Sequence, residues 1–286
     1  MLSSQVIQTS IDELRSITKV DLCVYDPMGA VMATTADMKD INTGLINDFS
    51  ASPADSQVIG NNHLLKVWDD GELLFVIVAR GGSDDAYMVG KIAASQMHNL
   101  AIAYKERFDR NNFFQNLLLD NLLLVDIYNR AKKLHVEVTA PRAVYLIETK
   151  GEKDVMVTEL LKGMFSNQSG DYITAVDESN IILIKNMDNG SEYEELVSVA
   201  DTIVAMMNAE AMMNVKVAFG TVVQELKDVS KSYKEAKMAL DVGKIFYAEK
   251  NVIAYSTLGI GRLIYQLPVN LCRIFIDEIF GDISLI

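Results

Sequence analysis

Apolar residues recur along this chain with two different periods, and the switches between them predict its elements. Val6, Ile7, Ile11, Leu14 and Ile17 return at three- and four-residue steps, the spacing of an amphipathic helix that packs on a sheet. Strand-type runs follow, Asp21 to Tyr25 and Ala30 to Thr34. Between them Asp26-Pro27-Met28-Gly29 makes a turn, because proline presets its second position and glycine tolerates its last. An irregular polar and small-residue stretch runs from Ala36 to Gly60. A second hairpin comes next: His63 to Trp68, the turn Asp69-Asp70-Gly71, and Glu72 to Arg80. From Ala86 to about Arg110, Met88, Ile92, Met97, Leu100, Ile102, Tyr104 and Phe108 spread around one helix, which must therefore be covered on several sides.

The second half changes pattern. Ala143 to Ile147, Val155 to Met164, Tyr172 to Val176, Ile181 to Ile184, Tyr193 to Met207 and Val215 to Phe219 read as β-α-β-β-α-β over residues 142–254. Only Asp177-Glu178-Ser179-Asn180 separates the middle strands, an interval short enough to close a hairpin. In order and spacing this half resembles the GGDEF (diguanylate cyclase) domain, whose signature occupies the same hairpin. Side chains stand here where that signature has its Gly-Gly pair, and they keep the backbone from approaching a guanine nucleotide. Loss of nucleotide binding and of enzymatic activity is the expectation. Glu148 at the end of the first strand, with Asp177 and Glu178 on the hairpin, would offer the hard oxygens Mg²⁺ requires. The plainer reading makes them solvated turn carboxylates, with no metal and no cofactor.

Further on, Phe219-Gly220 closes a strand, and Val229-Ser230-Lys231-Ser232-Tyr233-Lys234-Glu235-Ala236-Lys237-Met238-Ala239-Leu240 begins a helix. Ile253-Ala254-Tyr255-Ser256, Leu258-Gly259-Ile260 and Gln266-Leu267-Pro268 follow. With Leu117-Leu118-Leu119-Asp120 and the run Ile127 to Leu134, this ordered set resembles the sugar-diacid and purine-catabolism regulator family, CdaR/PucR, over roughly residues 110–268. The resemblance implies a cyclase-like but inactive middle domain and a DNA-binding helix-turn-helix at the C-terminus. The chain reaches Ile286 before any such element, so a regulator fragment is expected, with DNA contacted only through the missing end.

The implied fold class is α+β. An N-terminal antiparallel-sheet sensor domain of the PAS/GAF kind (1–104) is joined by the 86–110 helix to a ferredoxin-like, GGDEF-like sandwich with C-terminal helices (111–286). In such a sensor the ligand lies between the sheet and the irregular segment. Tyr25, Phe49, His63, Lys66, Trp68 and Arg80 combine apolar walls with polar handles and are the candidate ligand-binding residues. Arg80 is assigned to an anionic group, because guanidinium matches carboxylate geometry. The helix 86–110 is read as a signalling element and homodimer seam that includes Leu100 and Tyr104.

Composition narrows the partners. The 286 residues suffice for two domains, and 50% hydrophobic with 23% charged residues is ordinary for a globular protein. The net charge of −13 is shared: 6 basic and 13 acidic side chains lie in 1–104, and 20 and 26 in the rest. Neither half offers the basic face that nucleic acid demands. No run approaches the ~20 apolar residues of a membrane span, and Met1 to Gln5 opens no secretion signal, so a cytoplasmic location is expected. Cys23 and Cys272 fall in different halves and His63, His98 and His135 lie far apart, which argues against disulfide and zinc sites. Gly81-Gly82-Ser83 lacks the lysine of a phosphate loop and reads as a flexible turn. Two other functions remain open: a nucleotide-binding or weakly active cyclase relative, and a dimerisation or scaffold module.

Overall fold

The computed structural model describes residues 2–36, 41–81, 84–149, 155–165, 170–177, 180–188 and 192–281. The chain divides into two compact units, Met1–Asp109 and Arg110–Ile286.

In the first unit, α1 (Ser4–Thr18) starts at Ser3, whose hydroxyl accepts from Val6 N–H, and ends at Lys19 in the left-handed conformation. β1 (Asp21–Tyr25) and β2 (Val31–Thr34) form the first hairpin, and Asp26 Oδ1 accepts from Met28 and Ala30 N–H inside the turn. The stretch expected to be irregular holds a helix, α2 (Thr43–Ala51), capped by the Asn42 side chain, and a strand, β3 (Ser56–Ile59). β4 (Asn62–Asp69) and β5 (Glu72–Arg80) are joined through Asp70 and Gly71, both at positive φ as a tight two-residue hairpin requires.

All pairings are antiparallel, in the order β2-β1-β5-β4-β3. Because side chains alternate along a strand, the sheet is apolar on both faces. Leu22, Val24, Val67, Ile77 and Ala79 pack with Ile7 and Ile11 of α1 and with Val89, Ala93 and Met97 of the next helix, α3 (Asp84–Leu118). On the opposite face Cys23, Tyr25, Leu64, Val76 and Val78 pack with Ile46 and Phe49 of α2. Leu100 and Tyr104 of α3, the residues expected on a dimer seam, are half-buried against the edge of the unit's own core. The large apolar side chains that α3 exposes are Met88, Ile92 and Phe108.

The second unit opens with the end of α3, whose Phe113, Phe114, Leu117 and Leu118 are buried in its core. Next come α4 (Leu124–Lys133), β6 (Thr139–Glu148), α5 (Val155–Met164), β7 (Tyr172–Thr174), β8 (Asn180–Asn186), α6 (Tyr193–Glu210), β9 (Lys216–Phe219), β10 (Val223–Glu225), α7 (Val229–Phe246) and β11 (Val252–Ala254). The sheet order β11-β9-β6-β8-β7, with β6 antiparallel to both its neighbours, contains the split β-α-β arrangement of the predicted β-α-β-β-α-β unit. Tyr145, Ile147, Leu183 and Phe219 face α5 and α6, while Val144, Leu146, Ile182 and Ile184 face α4, α7 and the end of α3. Two helices follow, α8 (Gly261–Gln266) and α9 (Val269–Phe280), and α9 buries none of its residues. No described helix is long and apolar enough to cross a membrane.

Candidate functional site

In the first unit, Arg80 at the end of β5 stands directly opposite Asn62 at the start of β4, and its Nε donates to Asn62 Oδ1 at 3.1 Å. Asn62 is itself buried. Around them opens a cleft of about 680 Å³ lined by Ile41, Leu45, Ile59, Gly60, Asn61, Asn62, Leu64 and Arg80. Three segments far apart in sequence build it: the approach to α2, the β3–β4 turn and the last residue of β5. Gly81 N–H donates to Asn61 O at 2.9 Å, which ties the turn to the end of β5. Asp21 is the register partner of Arg80 on β1, and Arg15 Nε holds its carboxylate at 2.7 Å. Of the wall residues only Arg80 carries a signal legible in sequence; the aliphatic ones resemble any core residue.

The other candidates lie elsewhere in the unit. Lys66 is buried, donates from Nζ to Ser52 O at 2.5 Å, and lies 5.0 Å from the Phe49 ring centre and 5.5 Å from that of Trp68. Trp68 Nε1 donates to Asp55 Oδ1 at 3.1 Å. Phe49, Lys66 and Trp68 thus come together, and they fasten the α2–β3 connection to the sheet through a hydrogen bond and cation–π contacts. Tyr25 is buried in the core beneath α2. His63 turns to the other face, with a ring nitrogen 3.2 Å from Gly81 O and its ring 5.9 Å from that of Tyr87 on α3. Burial pushes the Cys23 thiol up, a shift opposed by the Tyr25 and Thr34 hydroxyls and by the charge of Arg80.

In the second unit, Glu148 pairs in register with Asn180, the first residue of β8. Its carboxylate forms an ion pair with Lys244 Nζ of α7. Asp177 accepts from Asn180 N–H at 2.8 Å and from Asn180 Nδ2 at 3.0 Å, so its carboxylate closes the hairpin on itself. Glu178 lies outside the described residues, as do Gly82 and Ser83. Among the described residues no cluster of three or more His, Cys, Asp or Glu side chains could hold a metal ion.

The end of α3 packs on β7 and the segment that follows it. Gln115 Nε2 donates to Ala175 O at 2.6 Å, Thr174 Oγ1 donates to Asn111 Oδ1 at 2.7 Å, and the Phe114 and Tyr172 rings lie 4.1 Å apart. At the helix terminus Lys234 Nζ donates to Asp120 Oδ2 at 2.8 Å, and Ser230 Oγ lies 3.4 Å from Asp120 Oδ1. Lys234 holds the Asp120 carboxyl below its ordinary range. Ser230 and Lys234 belong to the serine- and lysine-rich start of α7, so Asp120 joins two of the motifs singled out in the sequence.

The rest of that α7 motif is a structural latch. Ser232 Oγ accepts from Val144 N–H at 3.0 Å and donates to Thr221 O at 2.8 Å, while Glu235 Oε2 accepts from Thr221 N–H and Oγ1 at 2.8 and 2.5 Å. A Cβ on Gly220 would stand 2.1 Å from Ser232 O, so only glycine allows β9 and α7 to come this close.

Residues 121–242, which include the hairpin and this latch, match the family model of the GGDEF-like domain. The DNA-binding transcriptional activator AdeR of Bacillus subtilis (strain 168) is 22% identical over 216 residues, covering 71% of this chain and 51% of AdeR, so the chain spans about half the length of that relative. Among solved structures, PelD 158-CT from Pseudomonas aeruginosa PAO1 aligns with a TM-score of 0.27 and 13% identity over 76% of this chain and 82% of that one. The same protein in complex with c-di-GMP aligns at 0.24 and 12%, over 86% and 88%. Scores this low identify no common fold, and the likeness that stands is that of the second unit to the GGDEF-like domain.

Proposed function

We propose that this chain is the ligand-sensing, signal-transmitting and non-catalytic part of a bacterial transcription regulator, acting as a homodimer in the cytoplasm. The observation that carries the reading is how the hairpin carboxylates are occupied: Glu148 by Lys244 and Asp177 by Asn180. Both carboxylates are engaged within the fold, on a hairpin that lacks the glycine pair, which supports the non-catalytic reading.

Sensing belongs to the first unit, read as a PAS/GAF-like module. Its five-stranded antiparallel sheet, covered on one face by α2, supports that assignment, with the Arg80 cleft as the place for a small anionic molecule. Transmission belongs to α3. One continuous helix supplies Val89, Ala93 and Met97 to the first core and Phe113, Phe114 and Leu117 to the second, and its last turns hold β7 and, through Asp120, α7. The exposed Met88, Ile92 and Phe108 support a reading of α3 as a dimer seam. A ligand biases such a switch only by its difference in affinity for the two states, and the response is passed to a DNA-binding element of the CdaR/PucR kind.

The test is thermal melting of the chain against sugar acids, ureides, amino acids and aliphatic acids, and against GTP and cyclic di-GMP with Mg²⁺. Stabilisation by a small acid supports the reading. Stabilisation by guanine nucleotide alone transfers the function to the second unit and overturns it.

A further inference from the structure

Helices α8 and α9 of the second unit leave a long apolar run in the open. From Ile260 to Phe280, twelve large apolar side chains are between 42% and 72% exposed. α8 itself is fastened to α7. A Cβ on Gly261 would stand 2.8 Å from Val242 Cγ1, the Tyr265 hydroxyl donates to Asp241 Oδ2 at 2.7 Å, and the Arg262 guanidinium lies 5.0 Å from the Tyr255 ring centre. α9 leaves it through Leu267 and Pro268, and none of its residues is buried. At about 100° per residue, Cys272, Phe275, Ile276 and Ile279 share one side of α9, flanked by Leu271 and Phe280, while Asn270, Arg273 and Asp277 lie on the other.

We infer that α8 and α9 form an interface with a second copy of this chain, the apolar sides of two α9 helices packing antiparallel about a twofold axis. This inference rests on the homodimer proposed above and gives it a contact in the second unit, separate from Met88 and Ile92 of α3. Area favours it. With about half of each side chain in the open, the twelve present on the order of 1,000 Å², whereas a monomer rarely leaves more than a few hundred Å² in one patch. A standard interface takes roughly 800 Å² from each partner. Charge favours it as well. The stretch is neutral, Arg262 and Arg273 against Asp277 and Glu278, in a chain whose net charge is −13, so copies meet here without the repulsion that so acidic a protein imposes on average. A twofold contact lets one surface serve both copies. A membrane suits α9 poorly, because an interfacial helix carries a polar side rich in lysine and arginine, and Arg273 is the one basic residue of α9.

The experiment is sedimentation equilibrium of the whole chain over a wide concentration range, for wild type, Phe275→Glu, Ile279→Glu, Asn270→Glu and Ile92→Glu. Melting followed by circular dichroism checks that each variant is folded, which exposed α9 positions should allow. The expected result is twice the chain mass for wild type and a dissociation constant raised about 30-fold or more by Phe275→Glu and by Ile279→Glu. Asn270→Glu, which adds the same charge on the polar side, should associate as tightly as wild type. Maleimide labelling of Cys272, which lies within the contact, should slow as the wild-type concentration rises and should not slow in Phe275→Glu. Undiminished association in folded Phe275→Glu and Ile279→Glu, with dissociation by Ile92→Glu, would overturn this interface and leave the homodimer on α3. Dissociation by Asn270→Glu as strong as by Phe275→Glu would overturn the apolar side as the contact. A wild-type chain that stays monomeric at every concentration would overturn both the interface and the homodimer.

Discussion

Lys244 of α7 reaches the end of β6 and engages the carboxylate of Glu148, one of the acidic side chains that the sequence offers to a metal beside the β7–β8 hairpin. The pair is half exposed on the lysine side, so its worth in stability is small. Its consequence is chemical, since a carboxylate engaged by an ammonium is a poorer ligand for Mg²⁺.

From this we expect GTP with Mg²⁺ to yield no cyclic di-GMP with the wild-type chain. We expect none with Lys244→Ala either, because freeing one carboxylate does not restore the missing glycines. Chromatography of the reaction products checks it, and product from either protein would contradict the non-catalytic reading.

The latch between α7 and the sheet makes a stability prediction. Ser232→Ala leaves Val144 N–H and Thr221 C=O without their hydroxyl partner in a buried place, and should cost about 1–3 kcal/mol. Gly220→Ala should cost about 3 kcal/mol or more, since the added methyl meets backbone that cannot swing away. Urea unfolding followed by circular dichroism measures both. A Gly220→Ala protein as stable as wild type would refute the close approach.

Asp120 should matter more for coupling than for stability. Both it and Lys234 are well exposed, so Asp120→Ala should shift the melting temperature little. If α3 acts on α7 through this contact, the variant should still bind the small acid that stabilises the wild type while the protection of α7 amides no longer responds to it. An α7 response equal to that of the wild type would remove Asp120 from the path.

The two cysteines should differ in reactivity. Cys23 is buried and its thiol is pushed up by burial, whereas Cys272 is partly exposed on α9. A maleimide near neutral pH should modify Cys272 first and Cys23 only on unfolding. The sign of the pH effect follows: a thiol raised in the folded state adds stability below its ordinary value and loses it as pH rises through that value toward the folded one. Denaturant midpoints across the alkaline range should therefore fall in the wild type more than in Cys23→Ala.

Much of the fold was legible, and for specific reasons. The Asp26-Pro27-Met28-Gly29 and Asp69-Asp70-Gly71 turns announced both hairpins of the first unit, and the alternation of short branched runs with helical ones announced the second sheet. Helix α2 was hidden because it is short, contains Gly44 and Ser50, and lies in a polar stretch; β3 was hidden by its brevity. The expected 86–110 helix extends over Asp84–Leu118, because the second half of its apolar surface belongs to a different core. At the site, Arg80 could be singled out as a cation at a strand end. Ile41, Leu45, Ile59 and Leu64 could not, because only the fold brings them to one wall. The grouping of Lys66 with Phe49 and Trp68 is likewise spatial.

The central claim is that the first unit senses and α3 carries the response to the second. Amide hydrogen exchange of the whole chain, with and without the small acid that raises its melting temperature most and separately with GTP and Mg²⁺, tests it most directly. The account predicts that this acid slows exchange in α2 and the β3–β4 turn and also alters it in residues 111–118 and 172–176, while GTP changes neither. A response confined to the first unit, or one produced by GTP alone, would contradict it.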